Sequence, residues 1–175
     1  VVVIDPRRTA TADLADLHLP IAPGTDVLLF SGLLAWLAEH GHGDAAYVAA
    51  HTEGADEALR QARWHAPSVA AVAAHCGLPA GQVADFYRRF ATTERTVSVY
   101  SQGVNQSSSG TDKVNAIINC HLYTGRIGRP GMGPFSVTGQ PNAMGGREVG
   151  ALANQLAAHL EFARAGDHER LARFW

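Results

Sequence analysis

The chain opens with VVVIDPRRT (residues 1–9), the stretch that most directly decides its fold. Residues 1–4 are all β-branched, so both faces of this strand are apolar, as in a strand buried on both sides of a parallel sheet. Asp5 and Pro6 then end the strand in a turn. A second short strand is predicted at 17–21, and an apolar helix follows it. This alternation predicts an α/β fold with a doubly wound, mostly parallel sheet and flanking helices.

The rest of the chain continues the same alternation, with glycines and prolines marking the ends of elements. A third strand is predicted at 94–101, where small, aromatic and β-branched residues alternate. Residues 102–110, 125–134 and 138–146 are predicted as loops. Helices are predicted at 9–15, at 26–39 after a cap at Thr25 or Asp26, at 57–64, at 68–75 with Gly77 as the C-cap, at 82–90, at 111–123 and at 147–162.

The composition and net charge of the chain exclude some classes of function. The chain has 175 residues, 46% of them hydrophobic, and a formal net charge of −2. It can therefore bury a core, and its charge argues against a nucleic-acid or anionic-membrane partner. The longest apolar stretch, residues 27–38, is too short to span a bilayer. Only one of the 14 basic residues is a lysine, Lys113; the arginines offer planar groups suited to oxyanions.

The cysteines and histidines form no metal-binding pattern. Cys76 and Cys120 are 44 positions apart, outside any C-x-x-C pair, and none of the nine histidines lies in an H-E-x-x-H motif. We therefore predict no metal ligands in this sequence. Both cysteines are interpreted as small buried residues in a reducing compartment, and the histidines as surface or core polar groups.

The loops that follow strands are the candidate ligand-binding positions, because ligands of doubly wound sheets bind at the carboxyl ends of the strands. Asp5 there can accept hydrogen bonds from a ribose or a purine, or simply form an Asp-Pro turn. Asp26 is either a plain helix cap or a carboxylate that pairs with the adjacent donors of a guanine edge. Arg7 and Arg8 could meet a diphosphate or lie in solvent.

Two later loops add polar groups. Residues 102–106, QGVNQ, are rich in amides, which read heterocycle edges, and Gly103 allows close approach of a ligand to the backbone; a plain polar loop is the alternative. Arg147 is predicted at the start of a helix, where it would strengthen a positive field suited to a small anion. Its alternative is a surface ion pair with Glu148 or another acid.

Taken together, these motifs resemble a known family. DPRRTATADLAD (5–16) followed by PGTD (23–26) is similar to the second dinucleotide-binding segment of molybdopterin oxidoreductases of the dimethyl-sulfoxide-reductase type. QGVNQ (102–106) and residues 121–150 resemble the nitrate reductase branch. The string TGQPNAMGGREVG (138–150) is narrower and points to bacterial assimilatory nitrate reductases. The resemblance covers most of the chain in the family's order.

The resemblance implies a bis(molybdopterin guanine dinucleotide) cofactor with molybdenum, held between two related α/β domains. Gln102 and Gln106 would reach the pterin near the metal, and Arg147 would orient nitrate in the substrate funnel, so Arg147 and Gln102 are the candidate catalytic residues. The candidate cofactor-binding residues implied by the family are Asp5, Pro6, Arg7, Arg8, Thr9, Gly24, Thr25, Asp26, Gln102, Gly103 and Gln106.

The implied activity is the reduction of nitrate to nitrite by oxygen-atom transfer in nitrate assimilation, in the cytoplasm. The family also uses a [4Fe–4S] cluster, and the ligands for that cluster and for molybdenum are expected upstream of this sequence. The implied electron donor is an NADH-linked flavoprotein, a ferredoxin or a flavodoxin. We expect the 175 residues to be an internal segment, inactive alone: 1–138 as part of a dinucleotide-binding domain, and 139–175 as the funnel loop with the start of the neighbouring domain.

Other members of the same superfamily are the alternatives. A periplasmic-type nitrate reductase or a formate dehydrogenase relative would share the dinucleotide motifs. A cofactor-less structural relative would keep the fold and lose the pterin contacts, and the presence of Gln106, Arg147 and the glycine-rich loop before Arg147 argues against it. A stand-alone nucleotide-binding module is disfavoured because the buried strand at residues 1–4 needs neighbours.

Overall fold

A computed structural model describes residues 1–150 and 155–174 of the chain. The chain divides into two compact units, Val1–Val137 and Thr138–Trp175. The first unit contains the strands and most of the buried core, and the second is made of short helices and turns.

Four short strands of the first unit form two parallel pairs. β1 (Val2–Ile4) pairs with β2 (Leu17–Leu19), and β3 (Val97–Tyr100) pairs with β4 (Gly133–Ser136). The predicted α/β fold with parallel strands is therefore confirmed. In the part of the chain that the structure describes, the sheet is divided into these two pairs and is not continuous, because β1 and β3 are not hydrogen-bonded to each other.

Helices surround the two pairs of strands. In the described residues no helix combines the length and the hydropathy needed to cross a membrane. The helices of the first unit are α1 (Ala10–Asp13), α2 (Asp26–Glu39), α3 (Ala45–His51), α4 (Ala55–His65), α5 (Val69–Cys76), α6 (Ala80–Thr92), α7 (Gln102–Asn105) and α8 (Gly110–Tyr123). The second unit has α9 (Ala143–Glu148), a short 3-10 helix (Ala157–His159) and α10 (Asp167–Phe174).

Helix α2 is the centre of the core. Its side chains Leu29, Leu33 and Leu37 have no solvent exposure, and the helix packs against α4, α5, α6 and α8. Each of these leucines contributes roughly 1.5–3 kcal/mol through burial. The helix ends at Glu39, as the sequence predicts, and its C-cap His40 is followed by Gly41 with φ +70°. The position of α2 matters for the site because its first residue is Asp26.

Helix α5 confirms the predicted C-cap at Gly77, and it begins one residue after the predicted start. Ser68 is its N-cap, and the Ser68 hydroxyl accepts a hydrogen bond from the backbone N–H of Ala71 at 3.1 Å. Gly77 ends the helix in the left-handed conformation, with φ +67°. The predicted helices at 9–15, 57–64, 82–90 and 111–123 and the strand at 94–101 are also present, with shifted ends.

Four elements lie wholly or mostly where the sequence predicts loops or nothing regular, and one of them is α9, which begins inside the predicted loop 138–146. Helix α3 has no buried residue, so it lacks the apolar periodicity that would reveal it. Helix α7 is four residues long and begins inside the predicted loop 102–110. Strand β4 has the sequence GPFS, which does not alternate, and its extended form depends on pairing with β3.

The helix predicted at 147–162 is wrong. Helix α9 ends at Glu148, and Gly150 has φ +74°, while Ala158 and His159 also have positive φ. A chain with residues in the left-handed region cannot continue an α-helix. Residues 151–154 of that prediction lie outside the described residues.

Candidate functional site

A cleft of about 750 Å³ runs along β1 and β3 in the first unit. One end of it lies at the carboxyl ends of β1 and β3 and at the turn before α2, where a doubly wound fold binds its ligands. Of the predicted cofactor-binding residues, five line the cleft: Asp5, Pro6, Gly24, Asp26 and Gly103. The fold thus brings together three sequence motifs that are spread over about 100 residues of the chain.

Asp5 shapes the turn that follows β1. Its Oδ1 accepts a hydrogen bond from the backbone N–H of Arg7 at 2.7 Å, which is the Asp-Pro turn that the sequence offered as one interpretation. The carboxylate is half-buried, and its Oδ1 also lies 3.8 Å from Arg7 Nε. Since a carboxylate can accept further hydrogen bonds, the turn and a ligand-binding role are compatible.

The remaining residues of the first motif are engaged locally. Arg8 Nε donates to Asp13 Oδ1 at 2.7 Å in an exposed ion pair. Thr9 is the N-cap of α1, where its hydroxyl oxygen accepts a hydrogen bond from the N–H of Ala12. Arg7 has 83% of its side-chain surface exposed. Among the described residues, the lining of the cleft does not include Arg7, Arg8 or Thr9.

The turn before α2 presents Asp26 to the cleft. Gly24 has φ +88°, a conformation that L side chains rarely adopt, so this turn requires glycine. Thr25 occupies the N-cap position, but its hydroxyl donates to the carbonyl of Ala22 at 2.7 Å and caps nothing. Thr25 therefore fixes the shape of the turn, and Asp26 is the first residue of the helix.

Lys113 is the partner of Asp26, and the sequence analysis did not place it in a site. Its Nζ lies 2.7 Å from Asp26 Oδ2, and the side chains are 5% and 19% exposed, respectively. The same Nζ also lies 3.4 Å from the carbonyl oxygen of Gly103. Neither of the alternatives for Asp26, a helix cap or a carboxylate open to a base, included this ion pair. The available signal was that Lys113 is the single lysine of the chain.

Helix α7 carries the amide-rich motif. Gly103 of this helix lines the cleft. Gln102 is half-buried and Gln106 is exposed, and neither glutamine is among the described lining residues. Asn105 Nδ2 donates to Ser136 Oγ at 2.9 Å and so fastens α7 to β4. The structure therefore brings the backbone of this motif, rather than its amide side chains, to the cleft.

The cleft has room for a ligand against its backbone. Gly103 does not have a positive φ, and a Cβ at this position would meet no atom within 4 Å. Nothing within the described fold therefore requires glycine at 103. A large ligand that lies against α7 would require it, because glycine permits close approach to the backbone. The free space beside Gly103 therefore fits the dinucleotide that the family resemblance implies.

Two arginines, which the sequence analysis also missed, line the other wall. Arg89 and Arg95 both border the cleft. Arg89 Nε donates to Asp85 Oδ2 at 2.7 Å, and this hydrogen bond raises the pKa of Arg89. Lys113 is paired with Asp26 and Arg89 with Asp85, so Arg95 is the lining cation with no ion pair among the described residues, and its charge favours an anionic ligand.

Behind β3 lies a buried histidine. His121 has no solvent exposure, and its Nε2 lies 2.8 Å from the hydroxyl oxygen of Ser98, a lining residue. Burial, together with the nearby charge of Arg126, lowers the pKa of His121 to about 4. The imidazole is therefore neutral at neutral pH, and it supports the wall of the cleft as a hydrogen-bonding core residue.

The two cysteines are buried, as predicted. Cys120 Sγ lies 3.2 Å from the carbonyl oxygen of Phe30, and burial raises the pKa of both Cys76 and Cys120. Neither has the lowered pKa of a reactive thiol. Across residues 1–150 and 155–174, no three His, Cys, Asp or Glu side chains are grouped so as to hold a metal ion.

Arg147 lies in the second unit. It is an exposed residue in the last turn of α9, so the prediction that it stands at a helix N-terminus is wrong. The predicted alternative, a surface ion pair with Glu148 or another acid, is not formed among the described residues, and Glu148 Oε1 pairs with His159 Nε2 at 2.7 Å. The backbone carbonyl of Arg147 accepts a hydrogen bond from Gln155 at 2.8 Å.

Comparison with known proteins identifies the family of the chain. It is 56% identical to a nitrate reductase of Klebsiella oxytoca over its whole length and 52% identical to one of Shewanella frigidimarina over 99% of its length. It spans only 19% and 18% of those proteins.

A solved structure shows the same fold. Acetylene hydratase from Pelobacter acetylenicus aligns with 69% of this chain and 16% of its own, at a TM-score of 0.61 and 28% identity. The molybdopterin oxidoreductase family matches residues 1–170, almost the full sequence. The chain therefore belongs to the molybdopterin oxidoreductase family, and it is similar to nitrate reductases.

Proposed function

We propose that this chain is a segment of a molybdenum-dependent nitrate reductase that reduces nitrate to nitrite in cytoplasmic nitrate assimilation. In this role it binds one guanine dinucleotide of a bis(molybdopterin guanine dinucleotide) cofactor. The observation that carries the proposal is the high identity to nitrate reductases along the entire chain. The cleft supports it, because five of the residues implied by the family line one end of it.

The residues have distinct parts in holding the dinucleotide. Asp5 and Asp26 would accept hydrogen bonds from the nucleoside, Pro6 would lie beside it, and Gly24 and Gly103 would give it room against the backbone. Thr9 and Thr25 act indirectly, since their hydroxyl groups shape the two turns. Arg7 and Arg8 would have to leave their local partners, or share them, to meet the diphosphate.

Gln102 and Gln106 would reach the pterin. When bound, the molybdenum supplies a two-electron redox couple for the reaction NO₃⁻ + 2e⁻ + 2H⁺ → NO₂⁻ + H₂O. The protein contributes position and electric field.

Arg147 is proposed to orient nitrate. A guanidinium presents parallel N–H donors in one plane, which matches two oxygen atoms of the planar anion. Arg147 is exposed and has no ion-pair partner among the described residues, so its donors are available.

The remaining parts of the enzyme are proposed to lie in a longer protein. The chain spans about a fifth of the nitrate reductases it matches. A [4Fe–4S] cluster, its ligands and the residue that binds molybdenum would belong to that longer protein. Electrons would come from a flavoprotein, a ferredoxin or a flavodoxin.

The test is to purify the full-length protein and measure nitrite formation with reduced viologen as electron donor. We expect nitrate-dependent oxidation of the viologen, together with molybdenum and guanine nucleotide in the protein. The 175-residue chain alone should form no nitrite. Formate-dependent reduction of viologen without nitrate turnover would instead identify a formate dehydrogenase, and absence of both molybdenum and nucleotide would identify a structural relative.

A further inference from the structure

The ion pair of Lys113 and Asp26 is buried at the end of the cleft. Lys113 is 4% exposed as a residue, and the two charged groups lie 2.7 Å apart. Burying an ammonium group is costly unless it is paired and hydrogen-bonded. A core residue of the same volume would stabilise the helix contact as well or better, so stability alone does not account for a lysine here.

The ammonium joins three segments that the sequence places far apart. Lys113 belongs to α8, Asp26 begins α2, and the Gly103 carbonyl belongs to α7. Two of these segments carry predicted cofactor-binding motifs. Removal of the ammonium would therefore release Asp26 and α7 from each other.

The pair also has unused hydrogen-bonding capacity. A lysine ammonium has three donors; one is directed to the carbonyl of Gly103, and the charged group lies 2.7 Å from Asp26 Oδ2 in an ion pair. No hydrogen bond to Asp26 Oδ1 is present among the described residues. Both side chains line the cleft. One donor and one acceptor are thus presented side by side at the site of the predicted dinucleotide.

We propose that Lys113 is a positioning residue for the dinucleotide: it holds the Asp26 carboxylate in place and adds a donor beside it. A guanine base presents an acceptor, O6, next to a donor, N1–H, which is the complement of this pair. This inference rests on the proposed function and extends it to a residue outside the family motifs.

The experiment uses the full-length enzyme with three changes: Lys113→Met, Asp26→Asn and the double variant. Two quantities are measured for each. The first is guanine nucleotide released by acid, per protein chain. The second is the melting temperature of protein produced in a host that cannot make the cofactor. Wild type that contains no guanine nucleotide would overturn both this inference and the proposed function.

We expect Lys113→Met to lower the nucleotide content at least fivefold and to lower the melting temperature, because Asp26 is left as a buried unpaired charge. In the double variant that charge is also removed, so the melting temperature should recover while the nucleotide content stays low. Recovery of both quantities would show that the pair is only structural and would overturn the inference. So would a Lys113→Met enzyme with wild-type nucleotide content.

Discussion

The imidazole of His121 makes the stability of the chain depend on pH. The pKa of His121 is about 4 in the folded state, compared with 6.5 for an ordinary histidine. As the pH falls from about 6.5 to about 4, the unfolded chain takes up a proton that the folded chain does not. The folded state should therefore lose about 3 kcal/mol over this range through His121 alone.

The measurement is urea unfolding of the chain between pH 4 and 7.5, with His121→Gln for comparison. The glutamine cannot titrate, so the variant should lose less stability on acidification than wild type. Parallel curves for wild type and His121→Gln would contradict the lowered pKa.

Gly103 allows the proposed dinucleotide binding to be tested separately from folding. A valine at 103 meets no atom within 4 Å at its Cβ and requires no positive φ. Gly103→Val should therefore leave the melting temperature of the cofactor-free protein within about 2 °C of wild type. The same side chain projects into space that the dinucleotide would use, so we expect the nucleotide content of the full-length enzyme to fall severalfold. If Gly103→Val lowers the melting temperature of the cofactor-free protein as clearly as it lowers the nucleotide content, this assignment is wrong.

At the scale of elements, α2 crosses its neighbours closely at Gly32. A Cβ at this position would lie 2.7 Å from Val72 Cγ2 and would also meet the hydroxyl of Tyr87. Tyr87 is fully buried and donates to the carbonyl of Leu29 at 2.7 Å, so it cannot easily move. We expect Gly32→Ala to destabilise the chain by about 1–3 kcal/mol, measured by urea unfolding.

Gly81 in α6 is the matched control for Gly32. A Cβ there meets no atom within 4 Å, and the residue does not have a positive φ. Gly81→Ala should be neutral or stabilise the helix by about 0.5–1 kcal/mol, because alanine has the higher helix propensity. If Gly32→Ala and Gly81→Ala change the free energy of unfolding equally, α2 does not approach Val72 as closely as described.

The elements that could be predicted from the sequence are those with local signals. Helix α5 has both a capping serine and a terminal glycine, and α2 is long and apolar. Strand β4 could not be predicted, because it is extended only through pairing with β3, about 35 residues earlier. The helix predicted at 147–162 failed because positive φ values at Gly150 and Ala158 interrupt it, and sequence periodicity does not report this.

At the scale of the whole molecule, the sequence placed candidate residues at the cleft where a motif follows a strand. Asp5, Gly24 and Asp26 could be proposed because chain connectivity places them at strand ends. Lys113 could not, because it lies inside a helix and reaches Asp26 only through the packing of α8 on α2. Tertiary contacts of this kind decide which charges in the cleft are already paired, and so which groups remain for a ligand.

The activity of the full-length enzyme should depend on the shape of the Arg147 side chain, and not only on its charge. Arg147→Lys keeps a positive charge but loses the planar pair of donors, so we expect KM for nitrate to rise about tenfold in steady-state assays with reduced viologen. The exposed Arg164, in the same unit, is the control, and Arg164→Lys should leave KM unchanged. Molybdenum content should stay at the wild-type level in both variants, because neither side chain is proposed to hold the cofactor. If Arg147→Lys retains the wild-type KM, nitrate is oriented by another residue.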